Sequence, residues 1–336
     1  MAEISELNNE QRRELIDMQQ LFDGWRAAAQ EFRHSYKGRM RWKKINGNEY
    51  LYRVLDKSEK SLGPRSPETE QIKSDYVDAR TRLKRRATTL KKKIESRAAI
   101  NRALRLGQMP AIAAGILRKF DEVGLLGTQL IVVGTHALYA YAARAGVVFG
   151  GDLTATGDID LMFDARRRLS LAIAPELSAA GVVGLLRTVD RSFSHKPGHF
   201  RAMNDDGYYV DLIRPATKDE AQDSIGGLAD NDLVPVAIFG LEWLMNAPRF
   251  EAMVMAADGR PLWMSCIDPR VFAIYKQWLA TKVADRDPIK RPRDQAQAKA
   301  VAQVTKDYLN LPFAAKDLTA LPIDLVQAAK AITAGR

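Results

Sequence analysis

The sequence is short of the features that mark secreted and membrane proteins. Its 336 residues include one cysteine, Cys266, so no disulfide can form within the chain. No run of about 18 apolar residues occurs, which argues against a helix that crosses a membrane. The first residues, MAEISELNNEQRREL, are polar and of mixed charge, unlike a secretory signal. We therefore expect a reduced, cytoplasmic protein with no membrane partner.

Positive charge is concentrated in the first third of the chain. The formal net charge is +10, from 51 Lys and Arg against 41 Asp and Glu. Residues 1–107 hold 25 basic and 15 acidic side chains, whereas residues 108–336 hold 26 of each. This asymmetry is typical of a module that contacts a polyanion beside a neutral catalytic or packing module.

The first third alternates helix, hairpin and helix. Apolar residues recur at helical spacing over residues 5–35, and Asn46-Gly47 suits a turn between Arg39–Ile45 and Glu49–Val54. Basic and aromatic side chains alternate along this hairpin, an arrangement that contacts phosphates and stacks on bases. Alternatively, the aromatic rings pack on the neighbouring helices and the cations are solvated.

A loop at Ser61–Glu70 precedes a long helix predicted over Pro67–Leu106. Its second half, Arg80–Arg105, contains eleven basic residues and one acid, Glu95. A helix this basic is either a solvated rod or a surface for nucleic acid. In the second case, the basic residues of 37–105 would bind nucleic acid.

The stretch Gln129–Asp164 predicts a strand, a tight turn, a helix and a second strand. Gln129–Val133 is apolar and β-branched, as a buried strand requires. Gly134-Thr135 ends it, and we expect Thr135 to cap a helix over His136–Ala145. The backbone N–H groups of such a turn can hold a phosphate.

Two carboxylates lie on one face of the second strand, Asp158–Phe163. Because successive strand side chains alternate, Asp158 and Asp160 face one way while Ile159 and Leu161 face the other. Carboxylates this close repel each other, and a divalent cation between them removes that cost. Hard oxygen ligands favour Mg²⁺ or Mn²⁺. The alternative is a pair of solvent-facing aspartates on an edge strand.

Beyond Asp164 the pattern predicts a helix at about 165–179. Three strands follow, at Gly184–Val189, Phe200–Met203 and Tyr208–Ile213. A tight turn formed by Asn204–Gly207 joins the last two strands.

This order of elements resembles a known family. A hydrophobic strand, Gly-Ser or Gly-Thr, a helix and then DxD on the next strand is the order found in the DNA polymerase β superfamily of nucleotidyltransferases. The segments VVGTHALYAYAARAGVVF, ATGDIDLMFDAR, YYVDLI and FAIYKQWLA resemble bacterial nucleotidyltransferase-like proteins of about this length. Those proteins are distantly similar to the abortive-infection AbiE-type toxin nucleotidyltransferases. The resemblance runs from about Phe22 to Leu321.

The resemblance implies an α+β fold, a polymerase β-like mixed sheet flanked by helices. We expect a basic helix–hairpin–helix module at 1–107 and a nucleotidyltransferase core at 108–235. A mostly helical region at 236–336 would complete the active site.

The resemblance also implies further site residues. In the superfamily a third carboxylate comes from a later strand, and Asp211 in YYVDLI matches it as a metal ligand or general base. In the AbiE-type relatives a lysine on one helix and an aspartate beginning the next belong to the site. Lys276 and Asp294 match these positions. The alternatives are a solvent-facing Asp211 and a helix–helix salt bridge between Lys276 and Asp294.

The expected function is metal-dependent transfer of a nucleoside monophosphate from an NTP to an acceptor. The acceptor is RNA such as tRNA, a protein hydroxyl, as in an AMPylating enzyme, or a small molecule. Relatives in toxin–antitoxin systems imply growth control or phage defence, with an antitoxin as partner. Asp158, Asp160 and Asp211 are expected to bind Mg²⁺ or Mn²⁺. Gly134, Thr135 and Lys276 are expected to contact the phosphates. Asp294 is expected to orient Lys276 or to hold a helix N-terminus.

Two other functions remain open at this point. One is a nucleic-acid-binding protein whose nucleotidyltransferase fold is not catalytic. The other is a basic scaffold that oligomerises through its N-terminal helices.

Overall fold

The computed structural model describes residues 4–55, 58–164, 175–216, 231–319 and 321–333. It divides into two compact units, one formed by Met1–Arg12 with Leu104–Arg336 and the other by Arg13–Ala103. Among the described residues, no helix combines the length and the apolar character that a membrane crossing needs.

The helices and strands are numbered in chain order. The helices are α1 (Asn9–Ser35), α2 (Pro67–Ala103), α3 (Ala111–Glu122), α4 (Ala137–Ala145), α5 (Gly151–Thr154), α6 (Pro175–Val189), α7 (Leu241–Asn246), α8 (Pro269–Thr281), α9 (Lys290–Asp307) and α10 (Ile323–Thr333). The strands are β1 (Ile4–Glu6), β2 (Arg39–Ile45), β3 (Asn48–Leu55), β4 (Ser58–Pro64), β5 (Leu130–Val133), β6 (Val147–Phe149), β7 (Asp158–Phe163), β8 (Ser194–His195), β9 (Arg201–Met203), β10 (Tyr209–Pro215), β11 (Val236–Ile238), β12 (Arg249–Met255) and β13 (Pro261–Ile267).

The larger unit is built on a mixed sheet of eight strands. Its order is β12-β13-β5-β7-β10-β9-β8, and β11 pairs with the far end of β10. Strand β7 is antiparallel to β5 and parallel to β10, so it lies inside the sheet and not at an edge. Helices α3, α4, α6 and α8 contribute fully buried apolar side chains to the core around it. The α+β class, with a mixed sheet flanked by helices, is confirmed.

The smaller unit contains a three-stranded antiparallel sheet in the order β2-β3-β4. The turn between β2 and β3 has Asn46 at φ 49° and Gly47 at φ 86°, the positive values that a type I′ turn requires. The prediction that Ser61–Glu70 is a loop is wrong for its first part. Residues Ser58–Pro64 form β4, because their backbone pairs with β3 from Leu55↔Ser58 to Tyr50↔Pro64.

The strand predicted at Gly184–Val189 is also wrong, because these residues belong to α6. Helical geometry breaks at Gly181, which has φ 62°, and resumes immediately afterwards. There the Asp232 carboxylate accepts hydrogen bonds from the backbone N–H groups of Val182 at 2.8 Å and Val183 at 3.1 Å. These bonds satisfy donors at the start of a helical turn, from a residue about fifty positions away. The helix predicted at about 165–179 lies outside the described residues before Pro175.

Candidate active site

Two neighbouring parallel strands bring three carboxylates together. Asp160 of β7 is directly opposite Asp211 of β10, and Asp158 lies two residues earlier on the same face. Oxygen atoms of the three side chains lie within 4.8 Å of one another. Asp211 is only 5% exposed, so the alternative of a solvent-facing aspartate does not apply.

The electrostatics of Asp160 suit a cation. Burial, together with the charges of Asp158 and Asp211, raises the pKa of this carboxyl from 3.8 to about 6. Lys276 and Lys290 oppose that rise. The cost of holding three carboxylates here is relieved by a divalent cation, and an all-oxygen donor set suits Mg²⁺ or Mn²⁺. The side chains present therefore fit such an ion.

Gly134 allows the turn after β5 to lie against Asp160. It has φ 66°, and a Cβ at this position would overlap the Asp160 carboxylate. Its neighbour Val133 pairs directly with Asp160 across the two strands. A glycine is thus required here both by backbone conformation and by space.

Thr135 does not cap a helix as expected. Gly134–His136 form a 3-10 turn that leads into α4, whose start has no side-chain cap. Instead, Gln297 of α9 donates from Nε2 to Leu153 O at 2.7 Å and to Thr135 Oγ1 at 3.2 Å. Since the carbonyl can only accept, the amide orientation is set, and the Thr135 hydroxyl keeps its own proton for another acceptor.

Arg201 is a member of the site that sequence reasoning missed. From β9 it donates Nε to Asp211 Oδ1 at 2.6 Å and Nη2 to Oδ2 at 2.5 Å, a bidentate pair. Its guanidinium also lies 4.6 Å from the Tyr209 ring centroid. Arg201 therefore holds the Asp211 carboxylate in place.

The turn between β9 and β10 explains why Arg201 was missed. A turn formed by Asn204–Gly207 would place Met203 opposite Tyr208, and Arg201 opposite Val210. In the structure Asn204 bonds to Tyr208 through N–H···O at 3.1 Å and through its side chain at 2.7 Å. This closes a shorter loop and shifts the register by one residue, so Arg201 meets Asp211.

Lys276 and Asp294 form the ion pair named as the alternative to a direct role in the site. Lys276 Nζ of α8 donates to Asp294 Oδ1 of α9 at 2.7 Å, and both side chains are buried. Arg286, which sequence reasoning also missed, donates to Asp294 Oδ2 at 2.7 Å. Burial lowers the pKa of Lys276, with Asp294 opposing. The pair and a role in the site are compatible, because the Lys276 charge also acts on Asp160.

His136 and Tyr208 form a buried polar pair near Asp158. His136 Nε2 lies 3.1 Å from the Tyr208 hydroxyl. Burial lowers the pKa of His136 to about 4, with Asp158 opposing, so the ring is neutral at pH 7. The side chain of Thr156 also donates to Asp158 Oδ1. Thr156 therefore holds the first carboxylate without adding charge.

In the smaller unit, part of the hairpin's positive charge is ion-paired, whereas a group of cations on α2 is not. On the hairpin, Arg41 and Lys43 pair with Glu59, and the Trp42 ring lies 5.2 Å from Arg65 and 5.5 Å from Lys73. On α2, a group of exposed cations forms no ion pair in the described part of the chain. We call this group the α2 basic surface: Arg82, Lys84, Arg85, Arg86, Lys91, Lys92 and Lys93.

Comparison with known proteins identifies the family. A family model described as nucleotidyltransferase matches residues 112–322, which is more than half of the chain. The match includes all three carboxylates, Lys276 and Asp294. The comparisons with curated proteins and with solved structures gave no match. The chain belongs to the nucleotidyltransferase family.

Proposed function

We propose that this protein transfers a nucleoside monophosphate from an NTP to an acceptor hydroxyl. The observation that carries the proposal is the meeting of Asp158, Asp160 and Asp211 on paired parallel strands in a chain of this family. In the reaction the acceptor oxygen bonds to the α-phosphorus, and the bond between that phosphorus and the bridging oxygen breaks. Pyrophosphate leaves, and the hydroxyl proton passes to a carboxylate of the site.

The three aspartates are the proposed ligands of Mg²⁺ or Mn²⁺. When bound, the ion would neutralise charge that develops on the reacting phosphate and the leaving group. Arg201 has a supporting part in this assignment. Because both Asp211 oxygens accept bonds from the Arg201 guanidinium, the carboxylate is held in one orientation, which favours the role of ligand.

Gly134, Thr135 and Lys276 are the proposed contacts of the β- and γ-phosphates. The Thr135 hydroxyl accepts from Gln297, which leaves its proton free to donate to a phosphate oxygen. Lys276 uses one of its three N–H donors on Asp294, and its positive charge opposes the negative charge of a triphosphate. Asp294 is the proposed positioning residue, since it holds both Lys276 and Arg286.

The proposed acceptor is an RNA such as tRNA, held by the smaller unit. The sequence-based proposal covered residues 37–105, and the contacts within the unit support a narrower assignment. The hairpin cations Arg41 and Lys43 share the carboxylate of Glu59, whereas the α2 basic surface has no carboxylate partner in the described residues. Unpaired, exposed cations release the most counterions when they meet phosphates.

A role as a toxin or defence factor with an antitoxin partner rests on the resemblance to AbiE-type enzymes alone. Expression of the wild-type chain in bacteria should then slow growth, and Asp160→Ala should relieve the effect. Equal growth with both chains would contradict this role.

An acceptor screen tests the proposed function. The full chain is incubated with each NTP labelled at the α-phosphate, with Mg²⁺ or Mn²⁺, and with total RNA or total protein. We expect label on one acceptor class, no label with Asp160→Ala, and normal labelling with Asp206→Ala, an exposed aspartate in the β9–β10 loop. Undiminished labelling by Asp160→Ala would contradict the metal site. RNA binding without any labelling would favour the non-catalytic alternative.

A further inference from the structure

A cluster of aromatic rings at the surface of the larger unit has no part in the site described so far. Among the large apolar side chains exposed in the described residues, Phe239 is the only aromatic one, with 65% of its surface accessible. Its ring lies edge-on to Trp243 at a centroid distance of 5.9 Å and near Trp278 at 6.1 Å. Trp243 and Trp278 contact each other at 5.1 Å, so the exposed ring is supported from behind.

The backbone is shaped to allow this cluster. Gly240 follows Phe239 with φ 86° and is the N-cap of α7. A Cβ at residue 240 would lie 3.2 Å from the Tyr275 ring and 3.4 Å from Trp243 and Trp278. Only glycine therefore lets the chain pass this close to the rings without strain.

The cluster continues to the carboxylate site. Trp278 stacks on Tyr275 at 5.6 Å and 29°, and Tyr275 precedes Lys276 on α8. Burial raises the pKa of the Tyr275 hydroxyl, and Arg286, Asp160 and Asp294 are close enough to act on it. The rings thus extend from the carboxylates to the surface.

The sheet gives the distance between the two ends. Phe239 follows β11, whose last residue, Ile238, pairs with Pro215 at the end of β10. Asp211 lies four residues earlier on β10, roughly 13 Å along the strand. The ribose and base that follow the reacting α-phosphate, together with the reach of the Asp211 and Phe239 side chains, can cover such a span.

We propose that Phe239, supported by Trp243 and Trp278, is the stacking platform for the base of the NTP substrate. This inference rests on the proposed function, because it takes an NTP as the ligand. One exposed ring backed by other rings suits a flat π-system and is too small for a protein interface. The charge of Arg286 acts on Tyr275 and that of Lys276 acts on Asp160, so positive charge lies near both the rings and the carboxylates.

The rings themselves report on binding. The full chain with Mg²⁺ is titrated with ATP, GTP, CTP or UTP, and tryptophan fluorescence is recorded; tripolyphosphate is the base-free control. We expect quenching by at least one NTP and not by tripolyphosphate. Trp278→Phe should remove most of the quenching, whereas Trp25→Phe on α1 should leave it unchanged.

Phe239→Ala supplies the decisive comparison. Its dissociation constant for the NTP, measured by calorimetry, should rise about tenfold, since base–aromatic stacking is of that strength. Its affinity for tripolyphosphate should stay at the wild-type value, and Phe239→Tyr should restore NTP binding. Because Phe239 is exposed, the melting temperature should not change.

Three results would overturn the platform. If Phe239→Ala binds the NTP as tightly as the wild-type chain does, the ring is not a base platform. The proposal of nucleotidyl transfer would not be affected by that result. If Phe239→Ala loses binding to an RNA oligonucleotide but keeps its NTP affinity, the rings belong to the acceptor site. Equal affinity of the wild-type chain for NTP and tripolyphosphate would exclude a base platform, and absence of transfer in the acceptor screen would separately contradict the proposed function.

Discussion

The charges of the carboxylate site and those of the α2 basic surface are arranged in opposite ways. In the larger unit Asp211, Lys276 and Asp294 are at most 8% exposed, and each forms a close ion pair. On α2, Arg85, Lys92 and their neighbours are exposed and form no ion pair in the described residues. Buried charges are costly unless paired, whereas exposed charges need no partner. The first set is therefore held at defined positions, and the second stays available to any polyanion.

This difference predicts that the function of the carboxylate site depends on the positions of its side chains, whereas the function of the α2 basic surface depends on its total charge. Single changes at the carboxylate site should have large, local effects that salt barely alters. Changes on the α2 basic surface should have small effects that add up and weaken as salt increases.

The largest difference is expected in stability. Asp294→Asn leaves Lys276 and Arg286 without their buried anion, and the free energy of unfolding should fall by about 3–5 kcal/mol. Lys92→Gln on α2 should change it by about 0.5 kcal/mol or less. Urea unfolding measures both. Equal losses would mean that the buried and exposed charges do not differ in this way.

Two glycines with the same backbone conformation test the geometry of the site. Gly134→Ala should lower transfer about a hundredfold, because the new Cβ displaces the Asp160 carboxylate. Gly146→Ala has a similar φ, 67° against 66°, but meets nothing within 4 Å. It should lose stability by about 1 kcal/mol and keep its transfer rate per folded molecule. If both variants lose transfer equally, strain rather than displacement is responsible.

The sequence predicted the carboxylates better than it predicted their partners. Alternation along one strand was enough to place Asp158 and Asp160 on one face, since this periodicity is local. Arg201 depends on the register of the β9–β10 hairpin, which a single hydrogen-bonded pair, Asn204 with Tyr208, shifts by one residue. The local sequence pattern does not reveal this shift in register.

Secondary structure failed where distant residues decide it. The turn after Gly181 is helical because Asp232 accepts its N–H groups, and nothing near Gly184–Val189 signals this. Strand β4 likewise exists because β3 lies beside it. The pairing of Arg286 with Asp294 joins a loop to α9, and charge alone does not select it among the neighbouring cations.

Salt dependence tests the α2 basic surface. Replacing Arg82, Arg85 and Arg86 by Gln should reduce the slope of log K against log salt for tRNA by about 2, roughly 0.7 for each lost phosphate contact. Arg41→Gln with Lys43→Gln on the hairpin should change the slope by less than about 1, because both cations already pair with Glu59. Fluorescence anisotropy at several salt concentrations measures both slopes. Identical slopes would remove the distinction between the two surfaces.

The smallest expected effect concerns pH. The folded-state pKa of Asp160 is raised from 3.8 to about 6, so its contribution to the free energy of unfolding decreases as pH rises between these values. A cation and a proton compete for the same carboxylate, and Mn²⁺ affinity should fall about tenfold per unit below pH 6. Electron paramagnetic resonance of free Mn²⁺ measures this, with Asp160→Asn as the control. Affinity that is constant from pH 7 to 5 would contradict a metal at Asp160.

The position of the label in the NTP tests the central claim most directly. The acceptor from the screen is incubated with the wild-type chain, Mg²⁺ and an NTP labelled at either the α- or the γ-phosphate. Nucleotidyl transfer predicts label from the α-position only, pyrophosphate as the second product, and neither product with Asp158→Asn. Label from the γ-position, or α-label transferred equally by Asp158→Asn, would contradict the assignment of the three carboxylates to nucleotidyl transfer.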